Sequence, residues 1–114
     1  MNNIIENNRL IAEFLGYNEE IVNDEVYFTL PDMLESLSDE ELHYHSDWNW
    51  LMEVVEKIES INFVVNIREG HVSILNNGSK PPFYTKSDFV EESKKEAVYN
   101  TCIEFIKWYN KQYK

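Results

Sequence analysis

The segment that decides the fold runs from Asp47 to Ile61 and reads DWNWLMEVVEKIESI. Its apolar residues recur at helical spacing, which predicts an amphipathic α-helix, and Ser46 or Asp47 is placed to cap the N-terminus. The apolar positions, which cover most of the circumference, are Trp48, Trp50, Leu51, Met52, Val54, Val55, Ile58 and Ile61. Because only one narrow side is polar, we expect this helix to be buried on more than one flank.

The residues that follow this helix predict an antiparallel hairpin and a final helix. Two short runs rich in β-branched residues, Asn62–Arg68 and His71–Leu75, flank a tight turn. The stretch Lys80–Phe89 contains two prolines and is predicted to be an irregular connection. From about Val90 to Gln112 the helical period returns, and Cys102 lies on its apolar face.

The residues that precede the central helix predict one helix and one strand. Helical spacing from about Asn3 to Leu15 ends at Gly16, a residue suited to closing a helix. Glu25–Leu30 alternates and is rich in aromatic and β-branched residues, which predicts a strand. We expect a short helical turn at Asp32–Leu37 and an acidic loop at Ser38–Glu41.

This order of elements is typical of an α+β domain, in which a small antiparallel sheet of about three strands packs against three helices. The 114 residues fit a single domain over positions 1–114. Apolar residues make up 43% of the chain and aromatic residues 14%, so the composition excludes a disordered acidic tail.

The charge is concentrated in one half of the chain. Residues 1–60 carry a balance of −13 and residues 61–114 a balance of +2, within a net charge of −11. Between Leu10 and Glu56 there is no lysine or arginine, but there are 13 acids: Glu13, Glu19, Glu20, Asp24, Glu25, Asp32, Glu35, Asp39, Glu40, Glu41, Asp47, Glu53 and Glu56. Such a field repels nucleic acid and membrane phosphates and attracts basic protein surfaces. We therefore expect no direct binding to nucleic acid or membranes.

The motif HYHSDW at residues 43–48 offers a metal-binding alternative. His43, His45 and Asp47 match the start of the H-x-H-x-D-H pattern of binuclear hydrolases, but Trp48 occupies the position of the next histidine. Helix capping by Asp47 explains the same residues without a metal. We therefore predict no metal and no cofactor, and keep these three residues as the alternative site.

Cys102, two tryptophans and one basic loop are further candidates for function. Cys102 is predicted to be a core residue, since its helical face is apolar. Trp48 is also expected in the core, whereas Trp50 is open to either a core or an interface role. The loop with Lys80, Phe83, Tyr84 and Lys86 mixes basic and aromatic residues, as single-stranded nucleic-acid contacts do, but a plain connection is the preferred interpretation.

The N-terminus and the single cysteine bear on the compartment. The first residues, MNNIIENNRLIAEF, show no basic leader and no long apolar run, so we expect a cytoplasmic protein. One cysteine excludes an intramolecular disulfide.

Two segments resemble a known group of proteins: His45–Glu59, HSDWNWLMEVVEKIE, and Ser93–Asn110, SKKEAVYNTCIEFIKWYN. They are similar to small uncharacterised proteins encoded by bacteriophages and other mobile elements, in which a WDWLM-VVEKIE helix and a C-terminal EAVY-FIKWYN helix recur around a variable middle. The chain departs from that pattern at Asn49 and Glu53, where the family has Asp and often Pro. The resemblance implies a mobile-element setting and carries over no catalytic residue.

Charge and resemblance together predict a non-enzymatic interaction protein. We expect it to bind a basic protein surface, such as the nucleic-acid groove of a host defence protein, by presenting carboxylates in place of phosphates. The candidate partner-binding residues are Glu19, Glu20, Asp24, Glu25, Asp39, Glu40, Glu41 and Trp50. The alternatives are a small metal-dependent enzyme at His43, His45 and Asp47, and a self-associating module, such as a homodimer, that uses the surplus aromatics.

Overall fold

The computed structural model of the chain describes residues 3–29, 37–38, 41–68, 70–76, 84–88 and 94–113. Within these residues there are three helices and two three-stranded antiparallel sheets. The elements in chain order are α1 Asn3–Phe14, β1 Asn18–Val22, β2 Glu25–Thr29, β3 Leu37–Ser38, α2 Trp48–Ser60, β4 Phe63–Arg68, β5 His71–Asn76, β6 Tyr84–Asp88 and α3 Lys94–Tyr113. The predicted α+β class, with three helices and three-stranded antiparallel pairing, is confirmed.

The second sheet, in the order β4-β5-β6, carries the helices. Helix α2 packs against β4, and α3 packs against β5 and β6. The face of the sheet under the helices buries Phe63, Val72 and Ile74, and Ser73 on the central strand is buried as well. The hydroxyl of Thr101 on α3 and that of Ser87 on β6 are 2.9 Å apart, which adds a polar link to this packing.

The first sheet, in the order β1-β2-β3, is smaller; Phe28 enters the core, and Val26 and Leu37 pack against it. Phe28 of β2 is fully buried, and its neighbour on the same face, Val26, is half-buried. Every residue of β1 is exposed. Because burial decreases from Phe28 towards the turn, the tip of the β1–β2 hairpin lies beyond the core.

Local capping explains where the helices begin and end. Asp47 has extended backbone geometry and accepts a hydrogen bond of 2.8 Å from the backbone N–H of Asn49, so of the two predicted candidates it is the N-cap of α2. After α1, the backbone N–H of Tyr17 donates to the carbonyl of Ala12 and that of Gly16 donates to the carbonyl of Glu13. With Gly16 at φ +93°, this is a Schellman motif, which places Tyr17 against the core.

An aromatic cluster centred on Phe105 ties the helices to the second sheet. The Phe105 ring lies 4.7 Å from that of Phe63, 5.9 Å from that of Phe14 and 5.7 Å from that of Tyr109, measured between centroids. Most of these rings meet edge to face, an arrangement that adds to the energy of burial. Thus α1, α3 and β4 share one core.

Two strands of the structure were not predicted, and one predicted element lies mostly outside the described residues. Residues 18–22 form strand β1, which was not predicted. Residues 84–88 form strand β6, so this part of the predicted irregular connection is ordered in the sheet. The helical turn expected at Asp32–Leu37 lies outside the described residues except for Leu37, which pairs with Phe28 in the first sheet.

Candidate partner-binding surface

The β1–β2 hairpin holds four of the candidate acids in fixed positions. Its five cross-strand pairs run from Asn18 opposite Thr29 to Val22 opposite Glu25, without a bulge. The two turn residues, Asn23 and Asp24, have φ of 54° and 66°, as a type I′ turn requires. Asn and Asp adopt this left-handed geometry more readily than other non-glycine residues. The hairpin therefore has a regular geometry that sets the direction of its side chains.

The outward face of the first sheet is acidic. Since Phe28 points into the core, Glu20, Glu25 and Tyr27 point away from it. Glu20 lies directly opposite Tyr27, and Glu25 is the diagonal neighbour of Glu20 across the two strands. We refer to Glu20, Glu25, Tyr27 and Glu41 as the acidic face.

Glu41 lies after β3 in the chain and completes the acidic face by a contact with that strand. Its carboxylate accepts a hydrogen bond of 2.8 Å from the backbone N–H of Ser38, which lies opposite Tyr27. The field of these acids acts on the tyrosine: the Glu25 carboxylate raises the pKa of Tyr27 above its usual value, partial burial raises it further, and Glu41 adds a smaller effect. A phenol close to several carboxylates resists ionisation because its anion would add to the same negative field.

Few cations oppose these acids. Among the described residues of the hairpin and Glu41, the acid with a basic partner is Glu19, whose carboxylate lies 3.9 Å from the guanidinium of Arg9. At that distance and exposure the pair contributes little to stability. Glu25 instead accepts a hydrogen bond of 3.4 Å from the Tyr27 hydroxyl. The acidic face is thus left for a cationic partner.

A groove along α1 has a different character. It has a volume of about 450 Å³ and is lined by residues of α1 together with Glu19 and Lys107. Arg9 and Lys107 line it together with Glu6 and Glu13, so its charges are mixed. The strong negative sign belongs to the hairpin surface.

The structure describes Trp48 and Trp50 but not the two remaining candidate acids. Asp39 and Glu40 lie outside the described residues. Trp50 is half-buried against the core, and its ring meets those of Tyr44 at 5.1 Å and His43 at 5.5 Å. The prediction that Trp48 lies in the core is wrong: 37% of it is exposed.

The three residues of the alternative metal site contact different neighbours. His43 packs on Trp50, Asp47 caps α2, and the Nδ1 atom of His45 lies 3.0 Å from the Nδ2 atom of Asn8. Partial burial lowers the pKa of His45, and nearby His43 and Lys95 lower it further. In the part of the chain that the structure describes, no group of three His, Cys, Asp or Glu residues is placed to hold a metal ion.

Asn8 explains why the segment around His45 is fixed. It is buried, donates through Nδ2 to the carbonyl of Leu42 at 3.1 Å, and accepts at Oδ1 from the Tyr99 hydroxyl at 2.9 Å. This single side chain joins α1, the segment before α2, and α3. The sequence pattern gave no signal for this polar contact in the core.

Cys102 and Tyr44 are buried groups with little access to reagents. Cys102 is fully buried, as predicted, and burial raises the pKa of its thiol to about 12. The thiolate, which is the nucleophile, is therefore strongly disfavoured. Tyr44 is fully buried too; its hydroxyl forms no well-aligned hydrogen bond with the described residues, but burial raises its pKa and the nearby Tyr17 hydroxyl raises it further.

The basic and aromatic residues of the predicted loop are divided between described and undescribed positions. Tyr84 and Lys86 lie on strand β6, where Tyr84 is exposed and Lys86 pairs with Asp88 at 3.6 Å. Lys80 and Phe83 lie outside the described residues.

Comparison of the chain with protein-family models, with curated proteins and with solved structures finds no match. None of the described helices is both long and apolar enough to cross a membrane.

Proposed function

We propose that this protein is a small acidic, non-enzymatic interaction protein of bacteriophage or mobile-element type that binds a basic surface on another protein. The observation that carries the proposal is the acidic face on the first sheet, where Glu20, Glu25 and Glu41 surround Tyr27 and the described residues supply them with no cation. Ordinary protein surfaces intersperse both signs of charge, so a one-sign surface on a regular strand pair favours a charged partner.

The partner that this surface suits is a nucleic-acid-binding protein of the host. Its phosphate-binding groove is basic, and carboxylates held on strands can occupy it in place of phosphates. Long-range attraction would speed association, and complementary charges would select the groove over other surfaces. Blocking such a groove would inhibit a host defence protein without any chemistry by this chain.

The test compares two variants that remove four negative charges each. One changes acids of the first sheet to amides: Glu20→Gln, Asp24→Asn, Glu25→Gln and Glu41→Gln. The matched control changes exposed acids on the helices: Glu6→Gln, Glu59→Gln, Glu96→Gln and Glu104→Gln. Tagged chains are used to recover partners from host lysate, which are identified by mass spectrometry and then challenged with duplex DNA.

We expect the unaltered chain and the control to retain a basic nucleic-acid-binding protein, and the first-sheet variant to lose it. Added salt should weaken the complex steeply, because the screening length falls from about 10 Å at 0.1 M to about 3 Å at 1 M ionic strength. DNA should compete for the same partner. If both variants retain every partner equally well, the acids serve only as a solvated surface and the proposal fails.

A further inference from the structure

Strand β1 leaves one edge of the first sheet open. All five of its residues pair with β2, and within the described residues nothing pairs with its other side. An open edge presents backbone donors and acceptors to any strand that approaches, and proteins commonly protect such edges with lysine, proline or a bulge. The sequence of β1, NEEIV, has no lysine or proline, and its register is continuous.

Two aliphatic side chains lie exposed beside this edge. Ile21 is 66% exposed and Val22 is 44% exposed. Because successive residues of a strand point to opposite faces, one face of β1 presents Glu19 and Ile21 and the other presents Glu20 and Val22. An added strand would therefore meet one acid and one aliphatic side chain on each of its faces.

The edge is also ordered in advance. The type I′ turn at Asn23 and Asp24 fixes one end of the hairpin, and buried Phe28 anchors the neighbouring strand. A preformed edge loses little conformational freedom when a strand binds, which favours affinity.

The charge selects the kind of strand that can bind. In a full-length antiparallel pair with a second copy of β1, Glu20 would lie opposite Glu20 of that copy, and like charges across a strand pair are destabilising. A basic strand meets the opposite charges of Glu19 and Glu20 instead. The same acids thus disfavour self-association and favour a basic partner.

We infer that β1 is a docking edge for an extended basic segment of a partner protein, which adds to the first sheet as a further strand. The inference rests on the proposed function and specifies how the partner binds. In an antiparallel pairing the segment carries two apolar residues, opposite Val22 and Ile21, followed by two lysines or arginines, opposite Glu20 and Glu19. Backbone hydrogen bonds would supply affinity, and the side-chain order would supply specificity.

The test uses the full chain and two synthetic peptides of about ten residues, a length that covers the strand. The first peptide has two β-branched residues followed by two lysines. The second has the same residues with one central proline added, which keeps the charge but cannot extend a sheet. We expect the first peptide to bind and to protect amides of Glu19–Val22 from hydrogen exchange. The proline peptide should bind at least about tenfold more weakly.

A matched pair of chain variants strengthens the test. Ile21→Lys places a charge on the open edge and should weaken binding of the first peptide at least about tenfold. Ile4→Lys places the same charge on an exposed isoleucine of α1 and should leave binding unchanged. Equal loss in both variants would show charge repulsion alone and overturn the inference.

The outcomes separate the inference from the proposed function. Equal binding of the two peptides would overturn strand addition and leave the charge attraction intact. If neither peptide binds to a chain that still captures a basic partner, the inference also fails alone. Peptide binding without capture of any basic partner from lysate would count against the proposed function and support the docking edge.

Discussion

The first sheet (β1, β2 and β3) and the second sheet (β4, β5 and β6) are both antiparallel, and in each the first two strands pair along their whole length. They differ in what covers them. Helices α2 and α3 pack on one face of the second sheet, while the first sheet reaches the core through Phe28 and exposes all of β1. The second sheet thus supports the fold, and the first sheet, which carries the acids, is available for binding.

Removing the anchor of the first sheet should have the largest effect. Phe28→Ala deletes a fully buried ring, a change that typically costs about 3–5 kcal/mol. We expect the loss to appear as easier opening of β1 and β2, measured by hydrogen exchange, while amides of β4, β5 and α2 remain protected. Equal loss of protection throughout the chain would mean that the two sheets unfold as one unit.

A matched pair of isoleucines compares the two sheets directly. Ile74→Ala, in the buried face of the second sheet, should lower the free energy of unfolding by about 2–5 kcal/mol. Ile21→Ala, on β1, should change it by less than about 0.5 kcal/mol because its side chain is exposed. Urea unfolding measures both. Similar losses in the two variants would contradict the exposed position of β1.

Tyr44 lies between the two sheets in the sequence. A substitution there should raise the stability, whereas the preceding substitutions lower it. Tyr44→Phe removes a buried hydroxyl that lies near the Tyr17 hydroxyl without a well-aligned hydrogen bond, and it keeps the ring against Trp50. We expect stability to rise by about 1 kcal/mol, measured by thermal unfolding. A fall in stability would mean that the Tyr17 hydroxyl or a bound water satisfies the Tyr44 hydroxyl.

The smallest expected effect is a pH dependence at His45. Its pKa is lowered in the folded state, so the unfolded chain binds the proton more readily. Stability from this group is complete above its usual value of 6.5 and falls as the pH drops from there through the lowered folded value. Unfolding measured across this window should show a weaker pH dependence in His45→Gln than in the unaltered chain. Identical pH profiles would contradict the assignment.

The spacing of hydrophobic residues along the chain predicted most of the fold. It failed for strands whose buried and exposed positions do not differ in hydrophobicity. The helices α1, α2 and α3, and the β4–β5 hairpin, have apolar faces that match their buried faces. Strand β1 is exposed on both faces, so its sequence shows no alternation. In β6 every residue except Tyr84 is polar. The half-buried positions are Thr85 and Ser87, so the strand has no alternation of apolar and polar residues.

Trp48 shows a second limit of sequence reasoning. It lies on the same helical stripe as Leu51, Val55 and Ile58, so the spacing places it on the buried side. The core begins one turn later, at Leu51. Spacing fixes the direction of a side chain, but the end of the core depends on what packs against the helix.

The acidic region was predicted from composition, whereas its geometry required the structure. The sequence identified Glu19, Glu20, Asp24 and Glu25 as candidates but did not place them on a hairpin. It also gave no reason to select Tyr27, because only strand register brings Glu20 opposite this residue and Glu41 near it.

Hydrogen exchange on the chain alone and in complex with a captured basic partner tests the central claim most directly. The account predicts that amides of residues 18–29 gain protection in the complex, and that the outward face of the second sheet, including Arg68 and Lys86, gains none. The variant in which four acids of the first sheet are changed to Gln or Asn should lose both the complex and this protection. Protection gained at β4 and β6 with residues 18–29 unchanged would contradict the account and place binding on the second sheet.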